Sequence, residues 1–401
     1  MANRLIAPSL ADVSQDIAGT IPIDIIIRWA TSKKSTNSHS EFLSPYEVVG
    51  TVVSSDSSGL SKLTQDKSLL DVMRLVSQPK EVIFKFGTAI GGKAIGIWAA
   101  DNTEMLYDQS IQAADVILQM TAAQREINKL TVRVGIGIHH GKFINIGGGL
   151  FGKQADLVEE LAESYTQAGE VAITSALTKK LNSSLKKHLT KKATSLPNTE
   201  VYTLNHNNLT LHPAKSSNSN YPYPFSKDFF ELLRKDNKDT SVYKKYSSQK
   251  IVILVKVIHQ QRKFLLDQLS DWVLANTIMK KITLLDQIEE IKSNGSLGIF
   301  VTDSVSQAIE FASDLKDTMS ANGYLANVGI SKGEVLIFPM GNGIKEIAGG
   351  PVNISSKLSE DSGGNGEVLI EDSVKLKNTK TPKLQKFKIQ LSSIELKGYK
   401  F

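Results

Sequence analysis

The sequence predicts an α+β protein made of two successive copies of one α/β sandwich domain, and three observations carry that expectation. The first is a repeat. Gly152 to Gly169 is a 17-residue interval that carries Leu161 nine positions in and ends in GEVAIT, and Gly349 to Gly366 is another 17 with Leu358 nine in, ending in GEVLIE. The second is a pair of upstream echoes: GIHHGK (Gly137 to Lys142) against GISKGE (Gly329 to Glu334), and GGKAIGIW (Gly91 to Trp98) against SNGSLGIF (Ser293 to Phe300). The third is the alternation in each copy of strand-like and helix-like patterns with hairpin spacing, which points to a largely antiparallel sheet rather than a doubly wound parallel one.

Composition sets outer bounds. With 401 residues and 41% hydrophobic content, the chain has room for two full cores. The absence of cysteine excludes disulfides, thiolate zinc sites and cysteine nucleophiles. A formal net charge of +6 is mild for this length, so no nucleic-acid partner is expected. The first residues have Arg4 but no sustained apolar core, and IPIDIIIRWA is broken by Asp24 and Arg28. No membrane span and a soluble, cytoplasmic protein are therefore expected.

The elements follow in order. Residues 1–45 form an N-terminal extension, with one apolar segment expected to pack on the first domain and then the polar run TSKKSTNSHSE. The first domain covers 46–205: a strand at TVV, a helix around SLLDVMRLV, a hairpin of VIFKF and KAIGIWA, a helix over SIQAADVILQM, a strand at VRVGIGI and another after Gly147 to Gly149. Between Lys179 and Lys192 there are six lysines and no acid, while Leu177, Leu181, Leu185 and Leu189 recur every four residues, which predicts one amphipathic helix with a solvated basic face. Residues 206–249, rich in Asn, Ser, Pro, Tyr and Lys, read as a linker. The second domain, 250–401, opens with IVILVKVI and contains a helix in which Val305, Ile309, Ala312, Leu315 and Met319 share one face.

One segment suggests chemistry. GTVVSSDSSGLSKL places Asp56 at a strand end, followed by Ser57, Ser58, Gly59, Leu60 and Ser61 leading into a helix. Small residues there let backbone N–H groups converge on a phosphate, and a carboxylate beside them can hold a divalent cation. The plainer reading is a turn or helix cap. His139 and His140 are adjacent on a strand and point to opposite faces, so they are expected to be structural rather than to share an ion. The glycine cluster Gly147 to Gly149 lacks the following helix start of a phosphate loop and reads as a hairpin turn.

In order and spacing, these motifs resemble the class III nucleotidyl cyclases, the adenylate and guanylate cyclase family. The resemblance rests on SSDSSGLSKL, AIGGKAIGIW, GIGIHHGK and GEVAIT in the first copy, and on GISKGE, GGPVNISSKL and GEVLIE in the second. It implies a ferredoxin-like α/β sandwich. Because the family's active sites form between two such domains, it also implies an intramolecular pseudo-dimer with two pockets. In that family two aspartates hold two metal ions, a Lys and an Asp read the base, an Asn positions the ribose and an Arg stabilises the transition state.

Carried over position by position, the resemblance gives one damaged pocket and one lost one. In the first, Asp56 matches a metal aspartate and would take Mg²⁺ or Mn²⁺, the second metal aspartate falls on Gly92, and Ser57 to Ser61 form the phosphate turn. Opposite them, Asn353 keeps the ribose position, Lys357 replaces the arginine, Glu346 falls on the base-reading Asp, and Glu290 falls on the base-reading Lys unless Lys292 takes its place by a shift of two. Lysine keeps the charge but loses the bidentate fork. In the second pocket the metal aspartates align with Lys256 or Val257 and with Asn294, and the binding positions hold Gly149, Asp156 and Glu160. A carboxylate in place of the arginine would repel phosphate. The expected function is a catalytically impaired pseudo-cyclase that binds a nucleoside triphosphate or other small ligand between its domains, or signals through a protein partner. The alternative is an active divergent cyclase that converts ATP or GTP to the 3′,5′-cyclic nucleotide at one composite site. A purely structural interaction module is the third reading.

Overall fold

The computed structural model describes residues 21–57, 63, 67–96, 98, 102–196, 198–205, 209, 211, 213–215, 226–234, 244–258, 262–286, 288–340, 345–361, 364, 366–376, 383–391 and 394–401. Two compact units emerge. One runs from Ser40 through the first half, and the other joins Ile21–His39 to the C-terminal half. Among the described residues no helix is long and apolar enough to cross a membrane.

Two helices come first, α1 (Ile23–Thr31) and α2 (Thr36–Leu43). The first domain then runs β1 (Glu47–Ser57), α3 (Leu69–Thr88), β2 (Lys93–Ile95), β3 (Thr103–Asp108), α4 (Ala113–Ile127), β4 (Val134–Ile146), β5 (Gly149–Phe151) and α5 (Lys153–Ser164). It ends with β6 (Val171–Thr174), the short helices α6 (Ser175–Thr178) and α7 (Ser183–Lys186), β7 (Leu189–Leu196) and β8 (Thr199–Leu204). The sheet order is β2-β3-β1-β4-β6-β8-β7, with β5 on β4. The strand read as TVV is apolar on both sides because both faces are covered. Val53 joins Ile83, Phe84 and Met120 on the α3/α4 face, while Val52 joins Leu106, Phe143 and Val158 on the α5 face.

The second domain repeats this plan strand for strand. It comprises α8 (Lys227–Arg234), β9 (Ser247–Ile258), α9 (Leu265–Asp286), β10 (Glu289–Asn294), β11 (Leu297–Thr302), α10 (Val305–Ala321), β12 (Leu325–Pro339) and β13 (Lys345–Ala348). Then come α11 (Gly350–Ser356), a π-helical turn at Lys357–Asp361, β14 (Val368–Glu371), β15 (Gln385–Leu391) and β16 (Ile394–Lys400). The order is β10-β11-β9-β12-β14-β16-β15, with β13 on β12. The expected α+β class and two-sandwich architecture are both present.

The repeat has a steric origin. Each 17-residue interval carries the chain over the sheet between parallel strands, β4 to β6 and β12 to β14. Its bounding glycines all take positive φ: +92° and +89° at Gly152 and Gly169, +150° and +81° at Gly349 and Gly366. The returning helix lies flush on the central strand. A Cβ at Gly329 would stand 2.0 Å from the Ser355 carbonyl oxygen of α11, and one at Gly137 would stand 2.9 Å from the Ala162 nitrogen of α5.

Five expectations are corrected. VIFKF is not a strand but the end of the 20-residue helix α3, where Lys80, Ile83, Phe84 and Gly87 are buried at helical spacing. GGKAIGIW is consequently not the counterpart of SNGSLGIF. Lys93–Ile95 is the edge strand β2, whereas SNGSLGIF ends β10 and begins β11. The lysine-rich stretch is not one helix, because Asn182 Oδ1 caps a new turn by accepting from the Leu185 N–H, and Leu189 begins β7. Among the described residues, Ile21–His39 of the extension packs on the second domain, while Ser40 onward groups with the first. The indole of Trp29 donates to Asp267 Oδ1 at 2.9 Å and sits edge-on to Phe264 at 5.4 Å. The stretch read as a linker also has packed parts. Arg125 Nη2 donates to the Leu209 carbonyl at 2.7 Å, and Phe229 of α8 stacks on Phe338 at 4.4 Å.

Replacing Gly329 with alanine forces a methyl group onto a backbone carbonyl that no side-chain rotation can move. Gly329→Ala is expected to destabilise the second domain by about 3 kcal/mol, and Gly137→Ala to cost less, as read from urea unfolding of each variant.

Candidate functional site

Asp56 is the penultimate residue of β1, half-buried, and its Cα faces Gly135 of β4. Ser57 is buried at the strand end, opposite Val134. Ser58, Gly59, Leu60 and Ser61 lie outside the described residues. Register fixes the equivalent position in the second copy. Ser54 pairs with Gly137 and Leu254 with Gly329, so two residues further on Asp56 corresponds to Lys256 and not to Val257. An ammonium replaces the carboxylate there.

The second metal position does not fall on Gly92. That residue precedes the edge strand, and a Cβ on it would meet the Tyr107 ring at 2.6 Å and the Gly87 oxygen at 2.9 Å. The β2–β3 connection is 96–102, which carries Asp101 in sequence but lies mostly outside the described residues. Among the described residues no group of three or more His, Asp or Glu is placed to hold a metal ion.

In the second domain the structure brings Lys292 and Glu346 together. A β-bulge lies between Glu290 and Lys292, and past it Lys292 Nζ donates to Glu346 Oε2 at 3.0 Å. The Glu346 carboxylate also accepts from the Ile347 N–H at 3.2 Å. A second ion pair, Lys345 to Glu289 at 2.7 Å, ties the same two strands. Glu290 turns elsewhere: it accepts from Ser293 Oγ at 2.6 Å and lies 3.8 Å from Lys280. Asn353 is exposed on α11, and Lys357 follows one turn later at the start of the π-helical turn. Between them Ser355 donates to the Val252 carbonyl of β9 at 3.2 Å, which seats the helix on the sheet that carries the ion pair.

The first domain offers no such group. By strand register, Lys292 corresponds to Ile95 and Glu346 to Gly149. Counting from the bounding glycines Gly349 and Gly152, Asn353 and Lys357 correspond to Asp156 and Glu160. Where the second domain buries Ile299, the first has Glu104. Glu104 is half-buried, and burial of its carboxyl, with nearby Glu159 adding to the effect, pushes its pKa to about 8. The two histidines take separate partners. Buried His139 bonds Thr174 Oγ1 through Nδ1 at 2.7 Å and Gln154 Oε1 through Nε2 at 2.6 Å, while His140 Nδ1 meets Thr51 Oγ1 at 3.0 Å. Burial lowers the pKa of both.

Comparison with solved structures gives the fold its class. The chain is similar to a class III adenylyl cyclase-like ATP-binding protein from Pseudomonas aeruginosa, with a TM-score of 0.53 and 12% sequence identity over 82% of this chain and 84% of that one. It is also similar to the adenylyl cyclase CyaB from P. aeruginosa, with a TM-score of 0.32 and 16% identity over 39% of this chain and 94% of that one. A third similar structure is an adenylate/guanylate cyclase/hydrolase from Silicibacter pomeroyi, with a TM-score of 0.33 and 15% identity over 38% of this chain and 96% of that one. No protein-family model matches the sequence, and no curated protein matches it. The fold is that of the class III nucleotidyl cyclases, present twice in one chain.

Glu104 has a measurable signature. Its folded pKa is raised, so the native state keeps the proton while the unfolded chain ionises. The contribution of Glu104 to stability is full below about pH 4.5, falls as pH rises toward about 8, and is level above that. Glu104→Gln is expected to remove this slope and to gain on the order of 2–4 kcal/mol at pH 9 with no gain at pH 4. Urea unfolding across that range checks it, and an unchanged pH profile would refute the assignment.

Proposed function

We propose that this protein is a cytoplasmic nucleotide-binding protein built on the cyclase fold, in which turnover to a cyclic product is lost or strongly reduced. One observation carries the reading: the Lys292–Glu346 pair on β10 and β13, beside a helix bearing Asn353 and Lys357. A lysine and a carboxylate held 3.0 Å apart offer donors and acceptors to the edge of a purine. In this reading Lys292 takes the base-reading place that ungapped alignment gives to Glu290, with Glu346 as its partner. Asn353 orients the ribose and Lys357 neutralises phosphate charge. In the first domain Asp56 is a candidate carboxylate for Mg²⁺ or Mn²⁺.

The chemistry of these groups supports binding over catalysis. A lysine presents a point charge where the transition state of an in-line displacement is best met by a bidentate guanidinium. The Pseudomonas protein of similar fold is described as ATP-binding, which favours an adenine nucleotide here.

Calorimetric titration of ATP and GTP with Mn²⁺ into the full chain is expected to show binding that Lys292→Ala and Lys357→Ala each weaken by about tenfold. No cyclic product should form on the same preparation. Absence of binding at low millimolar nucleotide would overturn the reading. Cyclic-nucleotide production that disappears in Asp56→Ala would replace it with the active, divergent cyclase.

A further inference from the structure

The second domain holds a cleft of about 800 Å³ that the residues above do not line. It lies at one end of the sheet, between the C-terminal half of α10, the start of β12 and the adjoining ends of β15 and β16. Its wall combines two chemistries. Tyr324 and Phe401 supply aromatic surface, while Lys316, Lys383 and Lys400 supply three cations against two carboxylates, Asp317 and Glu367. The cations are not equivalent. Lys400 is bound to Glu367 at 2.6 Å, whereas Lys316 Nζ lies 5.5 Å from the centre of the Phe401 ring and Lys383 is exposed.

The same region of the first domain is filled. Strand register matches Lys400 with Thr203 and Phe401 with Leu204. There, Leu181 and Leu185 between β6 and β7 are 5% and 4% exposed and join Leu204 in the core. In the second copy Val374 and Leu376, which follow β14, pack in the core with Phe401. An open space with an aromatic wall and surplus cations suits a ligand that is apolar at one end and anionic at the other.

We propose that this cleft binds a small organic anion with an apolar ring, the ring packing on Tyr324 and Phe401 and the acid group meeting Lys316 and Lys383. Benzoate and phenyl phosphate serve as probes of the carboxylate and phosphate forms, with neutral benzamide as control, each titrated calorimetrically into the full chain. At least one anion is expected to bind at low millimolar concentration or below while benzamide does not. Lys316→Met combined with Lys383→Met should weaken that binding by about tenfold. Ser320→Phe, which fills the cleft, should abolish it. Lys383→Met alone, at an exposed position, provides a variant that leaves the fold intact. No binding of either anion, equal binding of benzamide, or affinity unchanged in the lysine variants would each overturn the proposal. Nucleotide binding by these variants should match that of the parent, which keeps this test separate from the nucleotide reading.

Discussion

The constraint on which the rest of the structure depends is the approach of a helix to the central strand of each sheet. At Gly329 the Ser355 carbonyl occupies the place of a side chain, and at Gly137 the α5 backbone comes nearly as close. A crossover that passes so near the sheet must leave and rejoin it sharply, which the positive-φ glycines at its two ends allow. This contact sets where α11 sits, and so where Asn353 and Lys357 sit relative to β10 and β13. Nothing about it depends on the polar residues of the helix. That independence explains how two copies can share one architecture while differing in their polar side chains.

The divergence has a consistent sense within each domain. At the position of Asp56 the second copy has Lys256, and at the positions of Lys292 and Glu346 the first has Ile95 and Gly149. The two copies therefore differ at these positions in charge and polarity. Glu104 shows how far an unused position can drift. A carboxyl stands where the other copy packs an isoleucine, and the structure tolerates it by keeping the proton on.

Much of this was legible in the sequence because glycine spacing is a steric signal that survives exchange of polar residues. The 17-residue intervals and the GIHHGK and GISKGE strands located the architecture, and with it the strand and helix that carry Glu346 and Asn353. What misled was local preference. VIFKF is rich in β-branched and aromatic residues, yet its burial at helical spacing against α4 decides for helix. That error displaced the hairpin and put a metal position on Gly92. The bulge beyond Glu290 is a backbone event that an ungapped alignment cannot contain, so the lysine that meets Glu346 stood two residues away. The leucines of 177–189 kept a helical period, but Asn182 offered the backbone a cap in its middle.

The attachment of Trp29 to Asp267 has a consequence in time as well as in space. The two residues are 238 positions apart. At a synthesis rate of roughly 5–20 residues per second, α1 leaves the ribosome tens of seconds before its binding surface exists. During that interval the first domain can complete its own core, while the Ile25, Ile26 and Trp29 face of the helix has no place to bury. Helix α1 is therefore made well before its partner and can dock only once α9 has formed.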